Sequence, residues 1–444
     1  MLLHGLRDRA SDHRHLLTGS AAVVATVVLQ ALSGSASWLI AARIDDQTDV
    51  GHATALFTSV LFVAFVAGLG LPVATARYAA GRTRDDHVLF AWASLATTAA
   101  SVVGALAYLG LVQPRAADEL GDWHSVGGPL LFVLLTAGSA LSLLLDVRLM
   151  TQRRWGLVFA RAVFVAVVRL PLLAVPGEQH RAVWLLVAVT LPTALSGVVG
   201  IALVGRVTGG RHHLGPRPAA TDAMVRYSLV NWLSTVSYQA PTFVLPVIVL
   251  VHVDASTNAS FYVAWGVASL ACYVPTAIGQ ALLTEGGRDG AHVRAQVRVA
   301  LLASVALMVV AAVVAFLGRD LLPGLYGDDY AEAADILPGL VAAAIPWAVT
   351  SIFLTEARVR HRTTDTVAIT VALSASIIGP ALYLVAEHRL GGAVVAFMCG
   401  NLIAAAVALA AHQRGLAAAD EDPLVPPAHE QLEPEDVVVL APLT

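Results

Sequence analysis

The chain predicts an all-α, polytopic membrane protein of about twelve transmembrane helices arranged as two six-helix lobes. Three observations carry that expectation. Of 444 residues, 57% are hydrophobic and only 13% charged, about half the charged share of a soluble domain. Short charged clusters separate apolar blocks long enough to span a bilayer. The clusters alternate along the chain between arginine-rich and acidic. In hydrocarbon a backbone must satisfy its own polar groups, so it spans as helices or as a closed barrel, and long unbroken apolar runs fit helices.

The first apolar run covers 17–42. Arg7, Arg9 and Arg14 precede it, but it is too long for an ordinary signal-peptide core and reads as a retained helix. Further helices are expected at 53–79, 87–111, 128–150, 156–176 and 182–205. After a longer basic loop come 223–250, 257–284, 295–318, 333–355, 365–386 and 390–412. Arginine tests this layout, because all 27 basic residues are arginines. Twenty fall at the N-terminus, in the even-numbered loops or after the last helix; the opposite loops hold five, Arg43, Arg115, Arg181, Arg319 and Arg389. A bias that alternates with every crossing fixes an even number of spans and puts both termini in the cytoplasm. The chain then divides into an N-terminal lobe (1–205), a cytoplasmic linker (206–222), a C-terminal lobe (223–413) and a tail (414–444). Beyond Arg414 the tail has seven acidic residues and no arginine, and reads as disordered and solvated. Cys272 and Cys399 fall in apolar spans and read as free buried thiols.

The halves look alike. GLPVATARYAAGRTRDD, from Gly70, parallels YVPTAIGQALLTEGGRDG, from Tyr273, with Pro72 and Pro275 at matching depths. LLLDVRLMTQRR parallels IFLTEARVRHR, matching Asp146 and Arg148 with Glu356 and Arg358. Six crossings is an even number, so the halves enter the membrane in the same sense, as in a parallel transporter repeat.

Charge inside a membrane is costly and marks function. Arg161 and Arg169, with Arg154, share one face of the 156–176 helix. Facing a cavity, such a ladder would bind phosphate or diphosphate; facing lipid, it would snorkel to the headgroups. Arg77 either lines the inner mouth or simply follows the positive-inside bias. Asn231, Gln239 and Gln280 line a cavity or join helices. Pro241, Pro246 and Pro275 are expected to kink their helices, making 223–250 a moving part. Asp146–Arg148 and Glu356–Arg358 are spaced two apart and do not face each other. Each acid is therefore expected to bond a neighbouring helix or loop arginine, locking the fold or gating between the halves.

Enzyme patterns are missing: there is no HExxH, P-loop or GxSxG element. His52, His124, His180 and His388 are scattered and His212–His213 is a loop pair, without metal-site spacing. The chain is thus expected to be no enzyme and to need no metal or cofactor. Asp45–Asp46 is similar to the acidic site of membrane glycosyltransferases, but lacks the large outer loop that would hold an acceptor, and reads as an acidic lip.

Three stretches carry a family resemblance: WLIAARIDDQTDVGHATALFTSV from Trp38, GLGLPVATARYAAG from Gly68, and LLPGLYGDDYAEAADILPGLVAAAIPWAV from Leu321. Over about residues 15–413 the chain resembles the multidrug/oligosaccharidyl-lipid/polysaccharide (MOP) exporter superfamily, especially its bacterial polysaccharide-export, O-antigen flippase-like branch. The resemblance implies a MATE-like V of two six-helix lobes in the bacterial cytoplasmic membrane. It implies alternating access that flips a polyprenyl-(di)phosphate-linked oligosaccharide outward for cell-envelope biosynthesis, driven by an ion gradient or the membrane potential. Arg169 and Arg161 would then meet the diphosphate or an acidic sugar. Membrane lipids and glycosyltransferases or a polymerase of the pathway would be its partners, with no nucleic acid, and the chain would be a monomer. The drug-exporter branch often carries an acid in its first helix, and 17–42 has none. The lipid II flippase branch typically has further helices. An ion-coupled small-molecule or drug antiporter, a membrane glycosyltransferase and a non-transporting scaffold remain the alternatives.

Overall fold

The computed structural model describes residues 25–26, 28–79, 83–111, 127–175, 181–208, 214–286, 293–360 and 362–421. The start of the expected first helix and the tail beyond 421 lie outside the described residues. Helix α1 covers 28–44. It is followed by α2 (Gln47–Ala67), α3 (Leu71–Tyr78), α4 (Arg84–Leu111), α5 (Gly127–Thr151), α6 (Trp155–Leu173) and α7 (Arg181–Thr208). The second half holds α8 (Thr221–His252), α9 (Ala255–Gly286), α10 (Val293–Gly318), the short α11 (Leu321–Tyr326), α12 (Ala331–Ala342), α13 (Ala344–Val359) and α14 (Thr363–Glu421). Ten described runs are long and apolar enough to cross a membrane.

Two of these elements are interrupted. The expected helix 53–79 begins earlier and breaks after Ala67, because Leu69 and Gly70 take left-handed φ of 49° and 69°. Glycine tolerates that conformation, and Pro72 then opens α3 in its first turn, where its missing N–H costs nothing. The 59-residue α14 would be about 90 Å long if straight. It turns at Arg389 (φ 50°, ψ −134°) and runs back on itself. Ser376 Oγ donates to the Gly400 carbonyl at 3.0 Å, and Arg362 donates to the Ala411 carbonyl at 2.9 Å. The expected helices 365–386 and 390–412 are the two arms of this hairpin. Its tip is tied to α9, since Arg389 donates to Asp254 Oδ2 (3.1 Å) and Thr257 Oγ1 (2.8 Å). Asp254 in turn caps α9 by accepting the Thr257 N–H at 2.7 Å.

Small residues let the helices approach closely. Gly138 of α5 lies against Ala194 of α7, and Gly197 against the Gly138 carbonyl. At the periphery, α10 leaves Val299, Leu302, Val310 and Val314 exposed, an apolar face suited to lipid. One apolar cluster crosses the whole molecule, joining Trp38, Ala53 and Leu185 to Leu245, Phe261, Trp265 and Leu373. The linker is tied to α4: Trp92 donates to the Gly215 carbonyl at 3.2 Å and Arg217 lies over the Trp92 ring.

Candidate functional site: the seam between the halves

The first half meets the second where α2 packs on α8 and α9, and α3 packs on α8. At one rim, Asn258 donates to the Gly51 carbonyl (2.8 Å) and to Thr54 Oγ1 (3.2 Å). Gln47 donates to Ser260 Oγ (2.9 Å) and to the Asp329 carbonyl (2.8 Å). Arg43 donates to the carbonyls of Gly324 and Leu325. A side chain on Gly51 would overlap the Ala255 carbonyl. At the opposite rim, the Ser228 hydroxyl donates to the Leu69 carbonyl, and Trp232 Nε1 donates to the Val66 carbonyl at 2.8 Å. A side chain on Gly70 would overlap the Ser228 carbonyl. Both rims are joined by direct hydrogen bonds, and at each a glycine leaves no room for a side chain against the facing carbonyl.

Arg169 borders the second half. It sits near the end of α6 with its Nε buried and without a hydrogen bond among the described residues. Its electrostatic neighbour is Tyr262 of α9, across the seam. Trp38 of α1 meets the Tyr262 ring edge-on at 5.3 Å. Trp38 also packs edge-on against Phe57 of α2 at 5.6 Å. Tyr262 thus meets α1 through Trp38 and has Arg169 of α6 as its charged neighbour.

The other expected site residues are dispersed. Arg161 does not join Arg169 but forms an ion pair with Asp146 of α5. It also donates to Ser142 Oγ (2.6 Å) and to Ser196 Oγ of α7 (3.2 Å), so it is enclosed within the first half. Arg154 precedes α6 with non-helical backbone and leaves the expected ladder. Arg77 is exposed at the Gly70 rim, over the Tyr227 ring at 5.0 Å. Asn231 donates to the Tyr227 carbonyl of its own helix (2.9 Å), and Gln239 is buried in α8. Gln280 lies on α9, its side chain outside the described residues. Pro72 opens α3, while Pro241, Pro246 and Pro275 are buried within α8 and α9.

The paired motifs also separate. Arg148, 1% exposed, stacks over Phe90 at 5.2 Å. Arg358 lies over Tyr238 at 5.8 Å. Glu356 pairs with Arg360 on its own helix and with His412 of α14. Asp45 is bound by Arg181 with only 4% of its side chain exposed, and no group of three or more metal-ligating side chains forms among the described residues. Trp38, Tyr262 and His412 went unmarked as site residues. Their only sequence signal is a polar ring atom inside or ending a long apolar run.

No protein-family profile and no characterised protein matches the sequence. Solved structures match nearly the whole chain. The lipid II flippase MurJ in an inward closed conformation has TM-score 0.68 at 13% identity, covering 89% of this chain and 87% of that one. A MATE transporter in complex with MaD5 has TM-score 0.61 at 15% identity, covering 90% and 95%. An outward-facing multidrug resistance MATE transporter of the MOP superfamily has TM-score 0.58 at 13% identity, covering 92% and 96%. The chain therefore shares the all-α fold of these solved proteins. Fold alone does not assign an activity.

Proposed function

We propose that the chain is an alternating-access transporter, with two six-helix lobes (1–205 and 223–413) rocking about the seam and twelve spans in a bacterial cytoplasmic membrane. Both termini and the 206–222 linker face the cytoplasm in this reading. The substrate is a polyprenyl-(di)phosphate-linked oligosaccharide, flipped to the outer leaflet. The observation that carries the reading is Arg169, a guanidinium whose electrostatic neighbour across the seam is a tyrosine and whose buried Nε makes no hydrogen bond among the described residues. A cation in that position is costly in hydrocarbon, and a phosphate offsets the cost through paired charge-assisted hydrogen bonds. Likeness to a lipid II flippase supports the same substrate class. Arg161, already neutralised by Asp146, holds α5, α6 and α7 together.

A second reading, an ion-coupled antiporter for a small molecule, is favoured by the multidrug resistance transporter among the matching folds. The readings separate on Arg169. In an export-deficient strain, with membrane insertion verified, Arg169→Ala abolishes export and lets the lipid-linked glycan accumulate, while Arg169→Lys retains part of the activity. Normal export by Arg169→Ala sinks the flippase reading. Gradient-driven efflux of a small cation by that same variant in proteoliposomes supports the antiporter.

A further inference from the structure

Asp146 and Glu356 stand at matching places near the ends of α5 and α13, but their partners differ in kind. Asp146 is held by the guanidinium of Arg161. Glu356 is held by a histidine: His412 Nδ1 lies 2.5 Å from Oε2, while Oε1 accepts from Arg360 Nε at 2.9 Å. Only 4% of the Glu356 side chain and 19% of His412 are exposed. The imidazole stacks on Phe353 at 4.5 Å. Around it Ile352, Leu354, Ile369, Ala408 and Ala411 form an apolar cluster.

We propose that Glu356 and His412 form a proton-binding site that latches the end of α14 to α13. With Nδ1–H donated to Oε2, an incoming proton binds Nε2 and turns the neutral ring into an imidazolium facing a carboxylate. The latch tightens as pH falls and loosens as pH rises, within the span of about pH 5 to 8 where imidazoles change charge. Among the described residues, the other charged groups nearby are Arg360 at the end of α13, Arg362, Asp365 and Arg414. Arg362 donates to the Ala411 carbonyl (2.9 Å) and pairs with Asp365 (2.5 Å), which Arg414 approaches at 3.6 Å. From α9 and α10 the cluster receives Leu282, Val297 and Ala300, while Arg294 and Arg298 of α10 are exposed. Arg358 and Tyr238 of α8 face each other instead. Arginine, aspartate and tyrosine side chains ordinarily keep one charge between pH 5 and 8, so among the described residues His412 is the imidazole at this site, at the root of the acidic tail. The inference does not depend on what the chain carries.

Hydrogen exchange on the full-length protein in lipid nanodiscs tests it, from pH 5.5 to 8.5 and corrected for the intrinsic pH dependence of exchange. Protection of 405–416 is expected to fall about tenfold across that range, the scale of a hydrogen bond to a charged group. The 140–150 segment, held by Asp146 and Arg161, should stay flat. His412→Gln keeps a donor for Glu356 but cannot titrate, and should abolish the slope. If that variant does not fold, Glu356→Gln decides, since it removes the carboxylate and should also flatten the profile. Wild-type protection independent of pH, or an undiminished slope in whichever variant folds, overturns the proposal.

Discussion

At the scale of single residues, the same side chain has different consequences one helical stretch apart. Arg161 and Arg169 lie on one face of α6, about 12 Å apart along its axis. Arg161 meets an acid and two serines, whereas Arg169 meets a tyrosine across the seam. Breaking a partly buried ion pair from one side strands the other charge. Asp146→Ala is therefore expected to lower stability by about 1–3 kcal/mol. Replacing both partners, Asp146→Leu with Arg161→Met, should recover most of the loss, because well-packed apolar pairs are often neutral substitutes. Thermal unfolding in detergent, followed by size-exclusion fluorescence, measures both; a double variant no more stable than the single one would contradict the argument. The sequence made the intramembrane charges visible, because arginine stands out in an apolar run. It could not say which arginine finds an acid, since Asp146 lies 15 residues away on another helix.

The elements were legible wherever hydropathy alone decides. The apolar runs became helices at close to the expected positions. The break at Leu69–Gly70 was hidden because one or two left-handed residues hardly change a window average, although Gly68, Gly70 and Pro72 are the residues such a break uses. The turn at Arg389 lies in the gap expected between the last two helices, yet nothing in the sequence indicates that Asp254 anchors it. Partial burial pushes the Asp254 carboxyl up, but the Thr257 N–H and the hydroxyls of Ser256 and Thr257, with Arg389, outweigh that and hold it below the usual carboxylate range. A depressed carboxylate stabilises fully above its unfolded value and loses that contribution as pH falls through the folded one. Asp254→Ala should thus cost about 1 kcal/mol at neutral pH through the lost helix cap. The difference from wild type should shrink below about pH 4. Paired melting curves at pH 7 and pH 3 check it; an equal gap at both would remove the carboxylate from the account.

At the scale of the whole molecule, both rims of the seam rest on a glycine pressed against a facing carbonyl, Gly51 on Ala255 and Gly70 on Ser228. A bulky residue at either point acts as a wedge. If the halves rock as rigid bodies, a wedge at one rim opens that rim and presses the other shut. Gly70→Asn, which left-handed backbone tolerates and whose Cβ still meets the Ser228 carbonyl, should then speed maleimide labelling of Ser228→Cys without speeding labelling of Thr54→Cys, and Gly51→Val should do the converse, in a background with Cys272 and Cys399 replaced. Both reporter positions are almost fully buried, Thr54 at 0% and Ser228 at 2% exposure, so baseline labelling should be slow. Reciprocal labelling shows the halves moving about the seam without any knowledge of the substrate. Labelling that rises at both rims with either wedge means local loosening. Labelling that rises at neither means a fixed interface, and that outcome moves the chain from carrier to scaffold.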